Sequence, residues 1–507
     1  MPAILSPVVA TTSGVVRGVD DGRIALWRGI RYAQPPVGAL RWRAPVPAIA
    51  PDGVADATAF GHAAPQPANV VMALGDGVTA DEDCLFLNVW RASRESAAPR
   101  PVMVWLHGGA YTFGAASQSV YDGTALAETG DAVIVTVNYR LGALGFLDLG
   151  AEHDGDADTN VALRDVLLAL AWVRDNVAAF GGHPDLVTVF GESSGAGLVT
   201  ALLATPSAAG LFQRAIVQSS PASSMYGRRR AAMVAGLFAA AAGVAPGDLA
   251  ALRALPVETV VAATGTVYDE VPRAHPGTVA FAPVVDGDLL PEHPITVLSE
   301  GRGHPVPLII GTNRDEATLF RFMKSALLPI DAASIERMFQ SMREERPAVI
   351  APDRAQVLTA YRGVRSRVVG LGIARDIAFR MPTVWLAAGH GAVAPTYLYR
   401  FDHATPLLRL VGIGAAHAAE VPYVWGTIDE APRAIYRLGG RRAAERVSAR
   451  MLERWTAFAN GGAPGGDWPA YRVPERSTLV IDATDRVVPD LDAALRAGWG
   501  DSVLSFS

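Results

Sequence analysis

The sequence predicts an α/β fold in which a mostly parallel central sheet is flanked by helices. Four apolar runs without polar alternation occur at residues 101–106, 132–137, 215–217 and 306–310. Strands that are buried on both faces of a parallel sheet have this pattern, whereas half-exposed antiparallel strands alternate. Helical segments lie between the runs, such as 161–177, whose apolar residues recur at helical spacing. This alternation of strands and helices is typical of an α/β protein.

The first part of the chain is predicted to form hairpins. Residues 15–19 and 23–27 are short alternating runs, and Asp20, Asp21 and Gly22 separate them. Such turn-forming residues between two runs favour a reversal of the chain. The Pro/Gly-rich stretch at 34–38 then predicts an ordered loop or a surface extension.

Two helix-rich stretches, 228–261 and 324–385, contain no convincing parallel strand. Both follow strand ends, where α/β folds place the loops that shape binding sites. We interpret them as helical cap insertions on a single domain that spans residues 1–507. The alternative, a separate helical domain, is less favoured because strand-like runs resume after each insertion.

Composition limits the classes of function. The chain of 507 residues is 50% hydrophobic and 19% charged, so it can bury a large core and is not a disordered protein. Its formal net charge of −6 argues against nucleic acid as a partner. The one dense basic segment, Arg228 to Arg230, is expected to be a solvated helix face.

Cysteine content and hydropathy bear on location. Cys84 is the only cysteine, so no intrachain disulfide can form, and the first five residues lack the basic and apolar regions of a signal peptide. The longest uncharged run in the helical middle, 231–247, is rich in alanine and falls short of the ~20 residues that a membrane span needs. We therefore expect a cytoplasmic protein without a membrane span.

The most informative segment is Gly-Glu-Ser-Ser-Gly at 191–195. It follows a β-branched run at 187–190 and precedes an apolar, helix-compatible segment at 196–204. A strand, a sharp turn with serine at its tip and a helix form a nucleophile elbow. Gly191 and Gly195 lack the Cβ atoms that would clash in so tight a turn. Ser193 is therefore predicted to be a nucleophile.

A nucleophilic serine needs a base, and histidine is the usual one near neutral pH. If the fold is an α/β hydrolase, the chain order is serine, acid, histidine, and the candidates in the last third of the chain are His390, His403 and His417. His390 ends a helical segment and is interpreted as a helix-terminus residue. His403 follows a strand and could be a surface histidine. His417 lies in a loop of small residues that would let an imidazole reach over a strand end, so His417 is favoured and His403 comes second.

The acid should follow a strand between the serine and the histidine. The run 306–310 is such a strand, and Asp315 and Glu316 both lie just beyond it. The pattern leaves these two carboxylates nearly equal as candidates, because either could instead cap a helix. Their role would be to hold the histidine tautomer and stabilise the imidazolium.

A further loop, Leu-His-Gly-Gly-Ala at 106–110, follows the first buried strand. Its small residues expose backbone N–H groups that can bind the oxyanion of an acyl-transfer reaction. His107 itself is expected to pack under the loop rather than to transfer protons.

Taken together, these segments resemble the type-B carboxylesterase family, which includes the cholinesterases and bacterial para-nitrobenzyl esterases. The resemblance covers nearly the whole chain. It rests on the elbow, the His417 loop and the segments at 29–38, 82–90, 138–142, 180–182 and 281–287.

The resemblance implies an α/β-hydrolase fold and a serine carboxylesterase that forms an acyl-enzyme and needs no metal or organic cofactor. It places the triad acid at Glu316. The expected substrate is a small ester, and the expected assembly is a monomer or a small homo-oligomer. It also implies oxyanion donors at the backbone N–H groups of Gly109, Ala110 and Ser194, and supporting residues at Glu192 and Ser219. The pairs Arg41–Glu82 and Arg140–Asp165 match structural ion pairs of the family.

The chain departs from the family pattern in places that concern the substrate. Ala418 stands where glycine usually follows the histidine. His183 stands where the family usually has aspartate, and this second departure is expected to affect only a surface turn. The segment 68–80 has no aromatic residue, although cholinesterases carry a tryptophan there for choline. A choline ester is therefore disfavoured. An amide, carbamate or lactone hydrolase on the same triad is an alternative, and a non-catalytic binding protein of the same fold is a more distant one.

Overall fold

The computed structural model describes residues 6–69, 72–150, 155–345, 354–362, 366–500 and 503–504. Within these residues, the strands are β1 (Val8–Thr11), β2 (Gly14–Arg17), β3 (Val19–Asp20), β4 (Ile24–Arg31), β5 (Val54–Asp56), β6 (Phe86–Ala92), β7 (Arg100–Leu106), β8 (Val133–Val137), β9 (Gly182–Glu192), β10 (Arg214–Gln218), β11 (Tyr226–Gly227), β12 (Val284–Val285), β13 (Leu308–Asn313), β14 (Thr396–Phe401), β15 (Thr478–Ile481) and β16 (Arg486–Val488).

The α-helices in the same part of the chain are α1 (Thr124–Gly130), α2 (Gly142–Phe146), α3 (Val161–Asn176), α4 (Ser194–Ala204), α5 (Arg228–Ala241), α6 (Leu249–Arg253), α7 (Val257–Ala274), α8 (Pro294–Ser299), α9 (Ala317–Phe322), α10 (Ala332–Glu345), α11 (Arg354–Thr359), α12 (Ser366–Arg375), α13 (Met381–His390), α14 (Pro406–Leu410), α15 (Val421–Trp425), α16 (Arg441–Gly461) and α17 (Ala493–Trp499). A π-helical turn, Asp376–Arg380, joins α12 to α13. Short 3₁₀ helices lie at Gly38–Leu40, Ser119–Tyr121, Val177–Phe180, Pro206–Ala208, Ala222–Ser224 and Arg433–Tyr436.

The central sheet has eleven strands in the described residues, in the order β16-β15-β14-β13-β10-β9-β7-β8-β6-β4-β3. The strands from β15 to β8 pair in parallel, and the flanking pairs at both ends are antiparallel. Each of the four apolar runs overlaps one of the parallel strands, namely β7, β8, β10 and β13. The prediction of a mostly parallel sheet with buried strands is confirmed.

Helices cover the sheet on both faces. One hydrophobic cluster includes residues of α3, α4, α7 and α13, and a second includes residues of α1, α15 and α16. Alternate residues of the parallel strands enter the two clusters, as Val104 and Trp105 of β7 do. Side chains of a strand point to opposite faces in turn, so both faces of these strands must be apolar.

The N-terminal hairpin differs from the prediction. The run 15–19 divides at Gly18 into β2, which pairs with β1 and β5 in a small separate sheet, and β3, which pairs with β4. A Cβ at Gly18 would lie 2.4 Å from the carbonyl oxygen of Leu26. The close approach of the two strands at this glycine explains why the chain changes sheets there.

Both predicted insertions are helical where the structure describes them. Residues 228–261 contain α5, α6 and the start of α7, and 324–385 contain α10 to α12, the π-helical turn and part of α13. Residues 346–353 and 363–365 of the second stretch lie outside the described residues, as do 1–5, 70–71, 151–154, 501–502 and 505–507. That the chain is a single domain with two cap insertions stays a prediction.

The basic segment at the start of α5 was only partly predicted. Arg228 and Arg229 are exposed, but Arg230 is buried and its Nε donates to Glu345 Oε1 at 3.0 Å. The interpretation of all three as a solvated face was therefore wrong for Arg230. The uncharged run at 231–247 extends beyond the end of α5, and none of the described helices is both long and apolar enough to cross a membrane.

Candidate active site

Ser193 occupies a strained turn between β9 and α4. Its backbone has φ 55° and ψ −125°, a conformation that L-residues rarely adopt outside functional sites. The turn is held by its N–H, which donates to the carbonyl oxygen of Gln218 at 2.9 Å. The serine side chain is thereby presented at the carboxyl end of the sheet, as a nucleophile elbow requires.

The two glycines of the elbow are needed for close packing. A Cβ at Gly191 would lie 2.6 Å from the carbonyl carbon of Gly195, and one at Gly195 would lie 2.0 Å from the carbonyl oxygen of Leu106. Real Cβ atoms do not approach backbone so closely. The strand end, the turn and the end of β7 can therefore meet only with glycine at both positions.

Three side chains predicted from distant parts of the sequence form one hydrogen-bonded chain. His417 Nε2 lies 2.8 Å from Ser193 Oγ, and His417 Nδ1 lies 2.6 Å from Glu316 Oε2. The other two histidines lie elsewhere. His390 Nε2 is 2.8 Å from the carbonyl oxygen of Val306, and His403 Nδ1 is 3.3 Å from Asp482 Oδ1.

Glu316 is fully buried and its second oxygen is also satisfied. Glu316 Oε1 accepts a hydrogen bond from Ser219 Oγ at 2.6 Å and another from the backbone N–H of Asn313 at 2.7 Å. These donors stabilise the carboxylate and fix its orientation toward the imidazole.

Asp315, the other candidate for the triad acid, forms hydrogen bonds with the backbone of the loop that carries His417. Its Oδ2 accepts from the N–H of Ala415 at 3.0 Å, and its own N–H donates to the carbonyl oxygen of Ala415 at 2.9 Å. Glu316 alone of the two reaches the imidazole of His417.

The glycine-rich loop after β7 lies against the nucleophile. A Cβ at Gly108 would lie 3.1 Å from Ser193 Cβ. The next two residues turn with positive φ, 126° at Gly109 and 53° at Ala110. In the described part of the chain, the backbone N–H groups of Gly109, Ala110 and Ser194 have no acceptor. Unpaired N–H groups gathered beside a nucleophile can bind an oxyanion.

Comparison with known proteins identifies the family of the chain. The model of the carboxylesterase family matches residues 5–494. The chain belongs to the carboxylesterase family. It is 35% identical to the para-nitrobenzyl esterase of Bacillus subtilis, across 96% of this chain and 97% of that protein. It is 34% identical to the phenmedipham hydrolase of Pseudarthrobacter oxydans, across 96% and 98%.

Solved structures of the family superpose on this one over most of their length. A thermophilic para-nitrobenzyl esterase matches with a TM-score of 0.86 and 33% identity, covering 97% of this chain and 99% of that one. A carboxylesterase of Geobacillus stearothermophilus matches with a TM-score of 0.83 and 34% identity over the same shares. The protein therefore has the α/β-hydrolase fold and is a serine carboxylesterase, a carboxylic ester hydrolase.

In this carboxylesterase, the imidazole of His417 lies among buried carboxylates. Glu192 Oε1 is 3.3 Å from His417 Nε2, and both side chains are nearly inaccessible. Burial lowers the pKa of His417, but the negative charges of Glu192, Glu316 and Glu420 outweigh it and raise that pKa to about 9. Burial raises the pKa of Glu192. The positive charge of a protonated His417 opposes this rise, so the charged forms of the two groups stabilise each other.

Glu420 is a site residue that the sequence did not reveal. It is fully buried, its Oε1 accepts from Gln218 Nε2 at 3.1 Å and its Oε2 accepts from Asn313 Nδ2. Burial raises its pKa. The signal that could have found it is a lone carboxylate in an apolar segment, three residues after the histidine.

Two aromatic rings cover the imidazole. The ring centroids of Phe320 and Phe379 lie 5.2 Å and 4.7 Å from that of His417. Phe320 belongs to α9, and Phe379 belongs to the π-helical turn at the end of the second helix-rich stretch. Such turns are frequent at functional sites. The rings exclude water, which strengthens electrostatic interactions inside the site.

Ser193 opens into an apolar cavity, which we call the catalytic cavity. No charged side chain lines this cavity in the described residues. Its walls are Ala110, Tyr111, Ser193, Ser194, Pro221, Ser223, Ser224, Gly277, Val279, Phe320, Leu327, Leu328, Pro329, Met338, Ile377, Ala378 and Phe379. The polarity of this lining suits apolar ligands.

Other expected side chains have structural positions. His107 is buried, stacks on Tyr139 at 4.6 Å, and has its pKa lowered to about 4 by burial, so it is neutral. Arg41 Nε donates to Glu82 at 2.7 Å, and Arg140 Nη2 pairs with Asp165 at 2.7 Å. Among the described residues, no group of three or more His, Cys, Asp or Glu is placed to hold a metal ion.

Proposed function

We propose that Ser193, His417 and Glu316 carry out ester hydrolysis as a catalytic triad. The observation that carries this proposal is the continuous chain of hydrogen bonds, 2.8 Å from Ser193 Oγ to the imidazole and 2.6 Å from the imidazole to Glu316. His417 takes the serine proton as Oγ attacks the ester carbonyl. Glu316 holds the ring and stabilises the imidazolium that forms.

The backbone N–H groups of Gly109, Ala110 and Ser194 bind the oxyanion of the tetrahedral intermediate. Their lack of partners within the described residues supports this role, since N–H groups without an acceptor beside the nucleophile are available to an oxyanion. Ser194 is the first residue of α4, so the positive end of the helix dipole adds to the stabilisation. One such donor contributes on the order of 100-fold to turnover.

The reaction is completed in two steps. His417 gives its proton to the leaving alcohol, and an acyl group remains on Ser193 Oγ. Water then attacks the acyl carbonyl while His417 again acts as base, and the carboxylic acid is released. Glu192 and Ser219 support these steps, Glu192 through the charge it places beside the imidazole and Ser219 through its hydrogen bond to Glu316.

The substrate proposed for the catalytic cavity is a small ester with uncharged, apolar groups beside the carbonyl. A charge buried in such a cavity would cost several kcal/mol without a partner. That the enzyme is cytoplasmic, and that it works as a monomer or small homo-oligomer, stay predictions.

A panel of p-nitrophenyl esters of increasing acyl length tests the proposed function. The wild type should hydrolyse them, and Ser193→Ala should lose activity on the order of 10⁶-fold. Ser207→Ala is the matched control, because Ser207 is an exposed serine in a 3₁₀ helix. A wild type that hydrolyses none of the esters, or a Ser193→Ala variant as active as the control, would overturn the proposal.

A further inference from the structure

A second groove adjoins the catalytic cavity and differs from it in charge. The two share Phe320, Leu328 and Pro329 as common walls. On the far side of these residues the lining includes Arg273, Arg321, Lys324 and Arg337. We call the part of the surface that these four cations line the cationic groove.

The four cations are exposed and uncompensated. Among the described residues, none of them forms an ion pair with a carboxylate, and Arg337 donates only a long hydrogen bond of 3.4 Å to Ser334 Oγ. Some exposed arginines elsewhere do have carboxylate partners, as Arg302 has in Glu292 and Glu300. The groove therefore concentrates positive charge on a chain whose net charge is −6.

One carboxylate lines the cationic groove, and it is already engaged. Asp331 precedes α10 and accepts hydrogen bonds from the N–H of Ser334 at 2.9 Å and from its Oγ at 2.6 Å. These bonds lower the pKa of Asp331, so the carboxylate stays ionised. Both bonds join it to Ser334 in the first turn of α10. Four cations still outweigh this one charge.

Lys324 marks the groove in two further ways. It is the only lysine in the sequence, so the other three cationic side chains of the groove are arginines. Its backbone has φ 55°, in the left-handed region that a side chain such as lysine seldom occupies. The turn after α9 therefore has a backbone conformation that is unfavourable for lysine.

We propose that the cationic groove is an anion subsite, which binds a carboxylate at the far end of an ester whose reacting carbonyl lies at Ser193. The catalytic cavity has no charged lining residue in the described structure, so a carboxylate could not be accommodated there without a large desolvation cost. Because Phe320, Leu328 and Pro329 line both spaces, a substrate that extends along these residues brings its far end to the four cations. The inference rests on the proposed function, since it assumes that the ester group reacts at Ser193.

Half-esters of dicarboxylic acids test the subsite. The mono-p-nitrophenyl esters of diacids from glutaric to sebacic acid carry a terminal carboxylate. The corresponding compounds in which this carboxylate is a methyl ester are the neutral counterparts. The measured quantity is the ratio of kcat/KM for the anionic ester to that for its neutral counterpart. In the wild type this ratio should rise with chain length once the carboxylate reaches the groove, and it should fall with added salt because ions screen exposed charges.

Removing two cations should lower this ratio. An exposed charge pair contributes about 0.2–1 kcal/mol, which is up to about fivefold in affinity for each cation, so Arg321→Gln with Lys324→Gln should reduce the ratio about tenfold, mainly through KM. Arg442→Gln is the matched control, since Arg442 is an exposed arginine of α16 without an ion pair in the described structure. A ratio that the double variant leaves at the wild-type value, or that salt does not change, would overturn the proposal.

A binding measurement separates the subsite from the catalytic step. In Ser193→Ala protein, a half-ester that occupies the groove should protect Lys324 from reductive methylation by at least severalfold, and the neutral diester should not. Because Lys324 is the only lysine, one peptide reports the result by mass spectrometry. Equal protection by both compounds, or by neither, would contradict the anion subsite whatever the outcome for the triad.

Discussion

Glu316 and Asp315 are neighbours in the sequence, but they face different parts of the site. Glu316 reaches His417, whereas Asp315 binds the backbone of the histidine loop. We expect Glu316→Gln to lower kcat/KM for p-nitrophenyl esters on the order of 10⁴-fold, because an amide no longer holds the required tautomer. Asp315→Asn, the matched variant, should keep activity within about tenfold. The reverse order of the two variants would move the acid to Asp315.

Glu192 affects the protonation of His417, and this predicts a pH effect. A negative charge 3.3 Å from Nε2 favours the imidazolium, so Glu192 raises the pKa of His417. Glu192→Gln removes that charge and lowers this pKa. Since the reaction needs neutral His417 as base, the acidic limb of the kcat/KM profile should move about one pH unit lower. A pH–rate profile on one ester measures it, and a limb that stays in place or moves higher would contradict this role.

Motif residues of the site could be predicted, but one of its buried carboxylates could not. Ser193, the Gly109 loop and His417 follow strand ends or lie in small-residue loops, and such patterns are local in the sequence. No local pattern marks Glu420, because its partners Gln218 and Asn313 lie on β10 and β13 and contact it only in the folded chain. The choice of Glu316 over Asp315 likewise needed the family resemblance or the folded geometry.

At the scale of elements, the loop between α14 and α15 carries the base in a constrained backbone. Ala418 follows His417 with φ 62°, in the region that glycine occupies without strain. This explains why glycine is the usual family residue there, and why alanine is the smallest departure from it.

The same conformation predicts a stability difference between neighbouring alanines. Ala418→Val should lower the free energy of unfolding by about 1–3 kcal/mol and reduce activity, because a β-branched residue is poorly tolerated at positive φ. Ala419→Val is the control, since Ala419 is also half-buried but does not have a positive φ. Urea unfolding measures both variants. Equal loss of stability in the two would contradict a special backbone at Ala418.

At the scale of the whole molecule, the sheet was predictable and the walls of the catalytic cavity were not. Parallel strands buried on both faces leave continuous apolar runs in the sequence, and β7, β8, β10 and β13 were found from them. The cavity walls come from Ser223, Phe320, Leu328 and Phe379, which lie on separate helices and turns around the site. Their apolar character is shared with any buried helix, so only the folded chain shows that they line a cavity.

The central claim is that Ser193 becomes acylated with the help of His417 and Glu316. Stoichiometric reaction with diethyl p-nitrophenyl phosphate tests it most directly, because the product on a nucleophilic serine is stable and can be mapped by mass spectrometry. We expect one equivalent of p-nitrophenol, one diethylphosphoryl group on Ser193 and complete loss of esterase activity. Phosphorylation of a different residue with loss of activity, or full activity with Ser193 modified, would contradict the claim.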